Sequence, residues 1–305
     1  MRSRMCGIVG LFLKDNNLNN QLGHLLSNML ITMSDRGPDS SGIAIYNKSN
    51  DGQIKLTLRS EDPDQDLKKL KQELIHKKKL KLTVIKNFNH IILRIYKKDF
   101  SYIKNYIKNF FPLASLMSSG ENIEIYKEVG LPETVIKKFG IKKMNGTHGI
   151  GHTRMATESA VTTLGAHPFN TGSDQCLVHN GSLSNHNQLR KKLQRNGMEI
   201  QTENDTEVAA SFISLQLKNG KSLKQSLELA LSELDGFYTF LIGTKDGFGV
   251  LRDPISCKPA VMAENDYYVA FGSEYRAFSE LPEIDHAEIW EPEPAKVYFW
   301  NHKNE

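Results

Sequence analysis

The first apolar positions along the chain predict a strand, a helix and a second strand. Residues 7–13 form an apolar run of strand length. Residues 22–33 place apolar side chains at helical spacing and lead into a turn at residues 36–39. Residues 42–46 follow as the second predicted strand.

From residue 146 onward, short apolar strands alternate with helical stretches. Many short strands joined by tight turns, with helices grouped between them, favour an α+β layered sheet over an alternating βαβ domain. A Rossmann fold is therefore disfavoured. The predicted elements of this half are strands at 176–178, 237–242 and 249–251 and helices at 189–196, 207–217 and 223–234.

The charge of residues 68–108 sets this stretch apart. It holds twelve lysines and Arg94 against Glu73 and Asp99, a local charge of +11. Its helical and strand spacings predict a folded insert at residues 50–145, within a domain that covers residues 6–300. A patch that binds nucleic acid or membrane is the alternative, but aromatic stacking motifs are absent and a solvated face explains the lysines better. We therefore expect no nucleic acid and no membrane as partner.

Length and composition exclude several classes of protein. With 305 residues, 39% hydrophobic and 24% charged, the chain is too apolar for a disordered polymer. No stretch approaches the roughly 18 to 20 apolar residues that cross a bilayer. Cys6, Cys176 and Cys257 are an odd number without metal-type spacing, which supports neither a disulfide framework nor a zinc site. A cytoplasmic location is the simplest expectation.

Cys6 is the first candidate for chemistry because it lies near the start of the chain, directly ahead of an apolar strand. If residues 1–5 were removed, Cys6 would have both a thiol and a free α-amine, whose ordinary pKa of about 7.7 to 8.0 suits a general base. Nucleophile and base would then belong to one residue. Taken alone, such a cysteine is more often a buried structural thiol.

Three further segments change that interpretation: Gly151-His-Thr-Arg154-Met-Ala-Thr157, His179-Asn180-Gly181 and Asn204-Asp205-Thr206-Glu207. In this order they resemble the class II glutamine amidotransferases, which are N-terminal-nucleophile hydrolases. The resemblance covers residues 6–300 apart from the insert. It is strongest to the stand-alone amidotransferase subunit related to the glutamate synthase N-terminal domain and associated with N-methylglutamate synthase. Supporting matches lie at 35–42, 166–168, 235–236, 252–254, 258–259 and 272–274.

The resemblance implies a fold and a set of roles. The fold would be an α+β, four-layer αββα sandwich with a helix and strand insert. Cys6 would be the nucleophile, and the Asn180 side chain with the Gly181 N–H would form the oxyanion hole. Arg154 would bind the α-carboxylate of glutamine and Asp205 its α-ammonium. Met155 and Thr157 are the remaining substrate-binding candidates.

The residue types suit these roles, although each has a simpler alternative. An asparagine amide is a neutral donor and glycine allows close backbone approach, and an arginine can bind a carboxylate bidentately. Alternatively, Arg154 and Asp205 pair with each other, Asn180-Gly181 forms a type I′ hairpin turn, and Thr157 is an ordinary strand residue. His167 and His179 are interpreted as structural or pocket-lining, and Cys176 and Cys257 as core or turn residues. Together, the motifs favour the functional interpretation.

The chain departs from the family pattern at two places. Met155 stands where many members have an aromatic residue, so a flexible apolar side chain would cover the bound glutamine. In addition, four residues precede Met5. Either translation starts at Met5 or a five-residue leader is cleaved; without one of these events Cys6 has no α-amine.

The absence of cofactor-binding motifs in the sequence bears on which partners are expected. It has no Walker A loop, no GxGxxG motif and no cysteine cluster, so no cofactor is expected in this chain. The resemblance implies that ammonia passes to separate synthase subunits of a hetero-oligomer, which would hold FMN and an iron–sulfur cluster. Two alternatives are a Cys-His hydrolase and a catalytically silent scaffold that binds a partner through the insert.

Overall fold

This computed structural model of the chain describes residues 5–48, 52–156 and 160–302. Most strands are short, and all of the strand pairs are antiparallel. In chain order the strands are β1 (Gly7–Leu13), β2 (Ser40–Tyr46), β3 (Gln53–Arg59), β4 (Leu82–Asn87), β5 (His90–Tyr96), β6 (Ser115–Gly120), β7 (Ile123–Val129), β8 (His148–Arg154), β9 (Phe169–Gly172), β10 (Gln175–Leu183), β11 (Gly236–Gly243), β12 (Gly247–Arg252), β13 (Val261–Glu264), β14 (Tyr268–Gly272), β15 (Glu288–Trp290) and β16 (Val297–Asn301).

The helices lie outside the sheets. Several begin with a side-chain cap: Ser222 forms a capping box at one helix, and Asn204 accepts from the Thr206 N–H at another. The α-helices are α1 (Leu22–Thr32), α2 (Pro63–Leu70), α3 (Phe100–Phe110), α4 (Pro132–Phe139), α5 (His186–Arg195), α6 (Asp205–Lys218) and α7 (Leu223–Glu233).

Two sheets form the centre of the molecule. The first has seven strands in the order β15-β13-β14-β1-β8-β2-β7, and the second has five in the order β16-β12-β11-β10-β9. Every residue of β1 is buried because the strand is covered on both faces, which explains its unbroken apolar run. The facing sides of the two sheets pack through an apolar core that includes Ile8, Phe12, Ile150, Val178, Leu241 and Phe248.

Helices cover the outer face of each sheet. Helices α1 and α4 share a core with Val9, Leu11 and other residues of the first sheet. Helices α6 and α7 share one with Leu177 and Phe240 of the second. The expected α+β, four-layer αββα sandwich is therefore confirmed.

The insert forms a smaller unit with its own sheet, ordered β4-β5-β3-β6. Helices α2 and α3 contribute Leu70, Ile103 and Ile107 to its core. The unit ends near residue 120, whereas residue 145 was expected: β7 pairs with β2 in the seven-stranded sheet along its whole length, and α4 packs on that sheet. The lysine-rich composition stops at residue 108, so charge could not locate the boundary.

In the described part of the chain, no helix combines the length and the apolar character that crossing a bilayer requires.

Candidate active site

Cys6 lies immediately before β1, and its sulfur faces the end of β8. Its Sγ accepts a hydrogen bond from the Met155 backbone N–H over 3.3 Å and lies 3.6 Å from the Met155 carbonyl oxygen. Burial raises the pKa of the Cys6 thiol, and the Met155 N–H together with the charges of Arg154 and Arg36 opposes that rise. Because burial prevails, the thiol needs a base before it can act as a nucleophile.

The backbone of Cys6 is held by two side chains from distant parts of the chain. Its carbonyl oxygen accepts from Arg36 Nε over 3.0 Å and from Asn180 Nδ2 over 3.1 Å. Arg36 also forms an ion pair with Glu274, which in turn pairs with Arg276 at 2.5 Å. Sequence reasoning placed Arg36 and Glu274 within matching motifs but gave them no role. Their separation of 238 positions explains why spacing could not pair them.

Asn180 and Gly181 lie inside β10, opposite Thr239 and Tyr238 of β11. The type I′ hairpin interpretation of this pair is therefore wrong. Gly181 has φ +141°, and a Cβ there would lie 1.9 Å from the Phe237 carbonyl oxygen, so only glycine fits.

The side chain of Asn180 is 5% exposed and already engaged. Its Nδ2 donates to the Cys6 carbonyl and, over 3.2 Å, to Ser273 Oγ. Both amide protons are thus used within the protein, and a contact from Nδ2 to a substrate requires one of these bonds to be exchanged.

Arg154 is the last residue of β8 and is 6% exposed. Its carbonyl oxygen accepts from the Asp39 N–H over 3.1 Å, and the Asp39 carboxylate accepts from the Ala156 N–H over 2.8 Å. Asp39 thereby fixes the chain on both sides of Met155. Thr157, the other residue predicted to bind substrate here, lies outside the described residues.

Asp205 is the first residue of α6, where the helix dipole favours a negative charge. Its Oδ2 accepts from the Leu183 N–H over 2.9 Å, and its Oδ1 lies 3.7 Å from His179 Nδ1. Burial acts to raise the pKa of Asp205, but interactions with His179 and the Leu183 N–H outweigh it and lower the pKa to about 2. The group is therefore a carboxylate at neutral pH.

Contacts link most of the predicted site residues. Cys6 contacts Met155 and Asn180 directly, and Asp205 is tied to β10 through Leu183 and His179. The interpretation of His167 and His179 as structural or pocket-lining fits their burial. Cys176 lies in the core between the sheets, 3.2 Å from the Tyr46 hydroxyl, and Cys257 is exposed.

A metal centre is not found at this site or elsewhere in residues 5–48, 52–156 and 160–302, where no three His, Cys, Asp or Glu side chains are grouped so as to hold an ion.

Comparison of the sequence with known proteins identifies the family of this chain. The glutamine amidotransferase domain matches residues 152–280. The glutamine amidotransferase-like protein GlxB of Rhizobium meliloti is 57% identical over 299 residues, 98% of this chain and 99% of that protein. A relative from Methanothermobacter thermautotrophicus is 33% identical over 304 residues, 96% of this chain and 99% of its own length.

The fold has a counterpart among solved structures. Glutamine phosphoribosylpyrophosphate amidotransferase from B. subtilis superposes with a TM-score of 0.63 at 22% identity, over 97% of this chain and 47% of that one. The chain thus spans about half the length of that enzyme. The layered sandwich is an N-terminal-nucleophile hydrolase fold, and the chain belongs to the class II glutamine amidotransferase family.

Proposed function

We propose that this protein is a glutaminase that hydrolyses the side-chain amide of glutamine to glutamate and ammonia, with Cys6 as the nucleophile. One observation supports this most: the Cys6 sulfur accepts a main-chain N–H at 3.3 Å beside the cation of Arg154. Both features stabilise a thiolate more than a thiol.

The base in this proposal is the α-amine of Cys6 itself, exposed by a start at Met5 with removal of that methionine, or by cleavage after Met5. The amine takes the thiol proton, and the thiolate attacks the amide carbon of glutamine. The C–N bond then breaks, and ammonia leaves with a proton returned by the amine. Water adds to the resulting thioester, the C–S bond breaks, and glutamate and the thiol are released.

The oxyanion of each tetrahedral intermediate is proposed to lie between Asn180 Nδ2 and the Gly181 N–H. Substrate would displace the Asn180 amide from the Cys6 carbonyl or from Ser273, while Arg36 keeps its own bond to that carbonyl. One such donor is worth about 3 kcal/mol of transition-state stabilisation in comparable sites.

Glutamine recognition is assigned to opposite charges at the two ends of its amino-acid group. Arg154 would bind the α-carboxylate and the Asp205 carboxylate would accept the α-ammonium. The low pKa of Asp205 supports this role because the group stays ionised over the physiological range. Met155 and Thr157 would cover the substrate.

The glutaminase proposal is tested by assaying glutamate release from glutamine. Cys6→Ser should lower turnover by several orders of magnitude, because serine is a far weaker nucleophile at neutral pH. Cys257→Ser is the matched control, since that thiol is exposed and is not one of the proposed site residues. Turnover of Cys6→Ser equal to that of the control would reject the proposal.

The ammonia acceptor is proposed to be a separate synthase of the glutamate synthase or N-methylglutamate synthase type, whose subunits hold FMN and an iron–sulfur cluster. The insert is the proposed docking surface. Along α3, Tyr102, Tyr106 and Phe110 form a ladder of aromatic rings with centroids 6.2 and 4.6 Å apart. Phe110 is 53% exposed and Leu113 72% exposed. An apolar strip flanked by lysines suits a partner with an acidic rim.

A further inference from the structure

Three histidines lie buried behind Asn180 and Asp205, and the proposed chemistry uses none of them. His152 is on β8, His179 is on β10, and His167 precedes β9; each is 5% exposed or less. The rings of His152 and His167 are stacked with their centroids 4.0 Å apart.

All three histidines take part in one hydrogen-bond network. His167 Nε2 lies 2.7 Å and His179 Nδ1 lies 3.1 Å from the hydroxyl of Thr206, the residue that follows Asp205. His152 Nε2 lies 3.2 Å from the His179 carbonyl oxygen. The Thr206 hydroxyl lies 3.4 Å from Asp205 Oδ1.

The network fixes where the protons are. A carbonyl oxygen only accepts, so His152 must be protonated on Nε2. The opposite ring nitrogens of the other two histidines, His167 Nδ1 and His179 Nε2, are buried without a hydrogen-bond partner in the described part of the chain. Buried unpaired N–H groups are rarer in proteins than buried unpaired acceptors. The bonded nitrogen of His167 and of His179 is therefore assigned a proton, as Nε2 of His152 is.

Burial supports the same assignment. It lowers the pKa of His152 to about 3 and the pKa of His167 well below its ordinary value. At neutral pH neither ring bears a second proton. With both His167 and His179 donating, the two acceptor sites of the Thr206 hydroxyl are filled, and its single proton is free to be donated to Asp205.

We propose that His167, His179 and Thr206 are positioning residues that orient the Asp205 carboxylate for the α-ammonium of glutamine. The inference rests on the proposed role of Asp205.

Nitrogen-15 NMR of the histidine rings in the wild-type protein tests the proton assignment at neutral pH. The proposal expects Nε2–H tautomers for His152 and His167 and the Nδ1–H tautomer for His179. An Nε2–H tautomer at His179 would overturn it, because His179 would then fail to donate to Thr206.

Kinetics with two substrates test the positioning. Thr206→Val keeps the side-chain shape and removes the hydroxyl, so the KM for glutamine should rise about tenfold, as for a lost hydrogen bond to a charged group. Glutaramate, in which hydrogen replaces the α-amino group, does not use Asp205, and its KM should stay within twofold. If the KM rose equally for both substrates, or did not change for glutamine, the proposed positioning of Asp205 through Thr206 would be refuted.

Matched replacements separate the positioning by His167, His179 and Thr206 from the role of Asp205 itself. His167→Gln and His179→Asn place an amide N–H near the position of the donating ring nitrogen and should keep the KM for glutamine near wild type, whereas His167→Leu and His179→Leu should raise it. If Asp205→Ala leaves that KM unchanged, the proposed role of Asp205 fails. If Asp205→Ala raises the KM for glutamine and neither leucine variant does, only the proposed positioning by the histidines fails.

Discussion

The Met155 main-chain N–H donates to the Cys6 sulfur although the two residues are 149 positions apart. Antiparallel pairing of β1 with β8, which sets Gly7 opposite Thr153, brings them together. The contact uses the backbone, so it does not depend on the identity of the side chain at position 155. An N–H bond to sulfur strengthens when the thiol becomes a thiolate, so this contact would stabilise the proposed nucleophile.

Ground-state binding and transition-state stabilisation should separate in kinetics. Arg154→Ala or Asp205→Ala should mainly raise the KM for glutamine, because each removes a charge that is proposed to bind the substrate. Asn180→Ala should instead lower kcat about a hundredfold or more with less change in KM, because its bond strengthens as the oxyanion forms. An Asn180→Ala variant altered only in KM would show that the oxyanion assignment is wrong.

Arg36 is expected to position Cys6 through the bond to its carbonyl oxygen. Arg36→Gln should lower kcat about tenfold to a hundredfold, since a small displacement of a reacting group costs that much. Arg276→Gln is the control, because among the described residues Arg276 pairs with Glu274 and Asp35 and not with Cys6. Steady-state rates that fall equally in both variants would assign the loss to the ion-pair network and not to the carbonyl contact.

Asp205 should make stability depend on pH in a defined direction. Its side chain is 22% exposed and its pKa is lowered to about 2. The stabilisation is therefore complete above the unfolded-state pKa of about 3.9 and is lost as pH falls toward 2. Its full size is about 2 kcal/mol, of which about 1 kcal/mol should disappear between pH 5 and pH 3.

Urea unfolding of wild type and Asp205→Asn at these two pH values measures that loss. The difference in unfolding free energy between the two proteins should shrink by about 1 kcal/mol from pH 5 to pH 3. A difference independent of pH would mean that Asp205 is not the stabilised carboxylate described here.

The insert should matter for the partner and not for glutamine hydrolysis. Lysines 68, 71, 78 and 81 are exposed, whereas Lys69 and Lys77 are engaged with Phe110 and Glu73. Replacing those four with glutamate should leave glutaminase activity intact and weaken assembly with the proposed synthase subunits, most at low salt. Glutamine-dependent synthesis by the purified complex, measured from 50 to 300 mM salt, reports the loss.

A control of equal charge change places four glutamates elsewhere on the surface, at exposed lysines 137, 143, 191 and 221. Assembly that is equally weak in both variants would assign the effect to net charge. Assembly unaffected in the insert variant would remove the docking surface from the account.

Several parts of the fold could be predicted from sequence because the local pattern and the buried environment agree. The apolar run of β1 is one example, and the amphipathic spacing of α3, which buries Ile103 and Ile107, is another. Strand β8 was not predicted: its residues His148–Arg154 include polar side chains, yet all of them are buried. Their burial depends on pairing with β1 and β2 and on covering elements far away in the sequence.

In the candidate site too, sequence predicted some features, whereas others depend on contacts between residues far apart in the chain. Motif order indicated Cys6, Asn180 and Asp205, but not that Asn180 bonds to the Cys6 carbonyl across 174 positions. Nor could spacing show that Thr206 links two histidines to Asp205. These contacts depend on how the two sheets stack, which residue types alone do not determine.

The most direct test of the central proposal is to label the protein with an electrophilic glutamine analogue, a diazoketone in place of the side-chain amide, and to map the adduct by peptide mass spectrometry. The account predicts one adduct, on a peptide whose first residue is Cys6, and its loss when excess glutamine is present. Labelling of another residue, or of Cys6 in an equally active chain that still retains Met5, would contradict it.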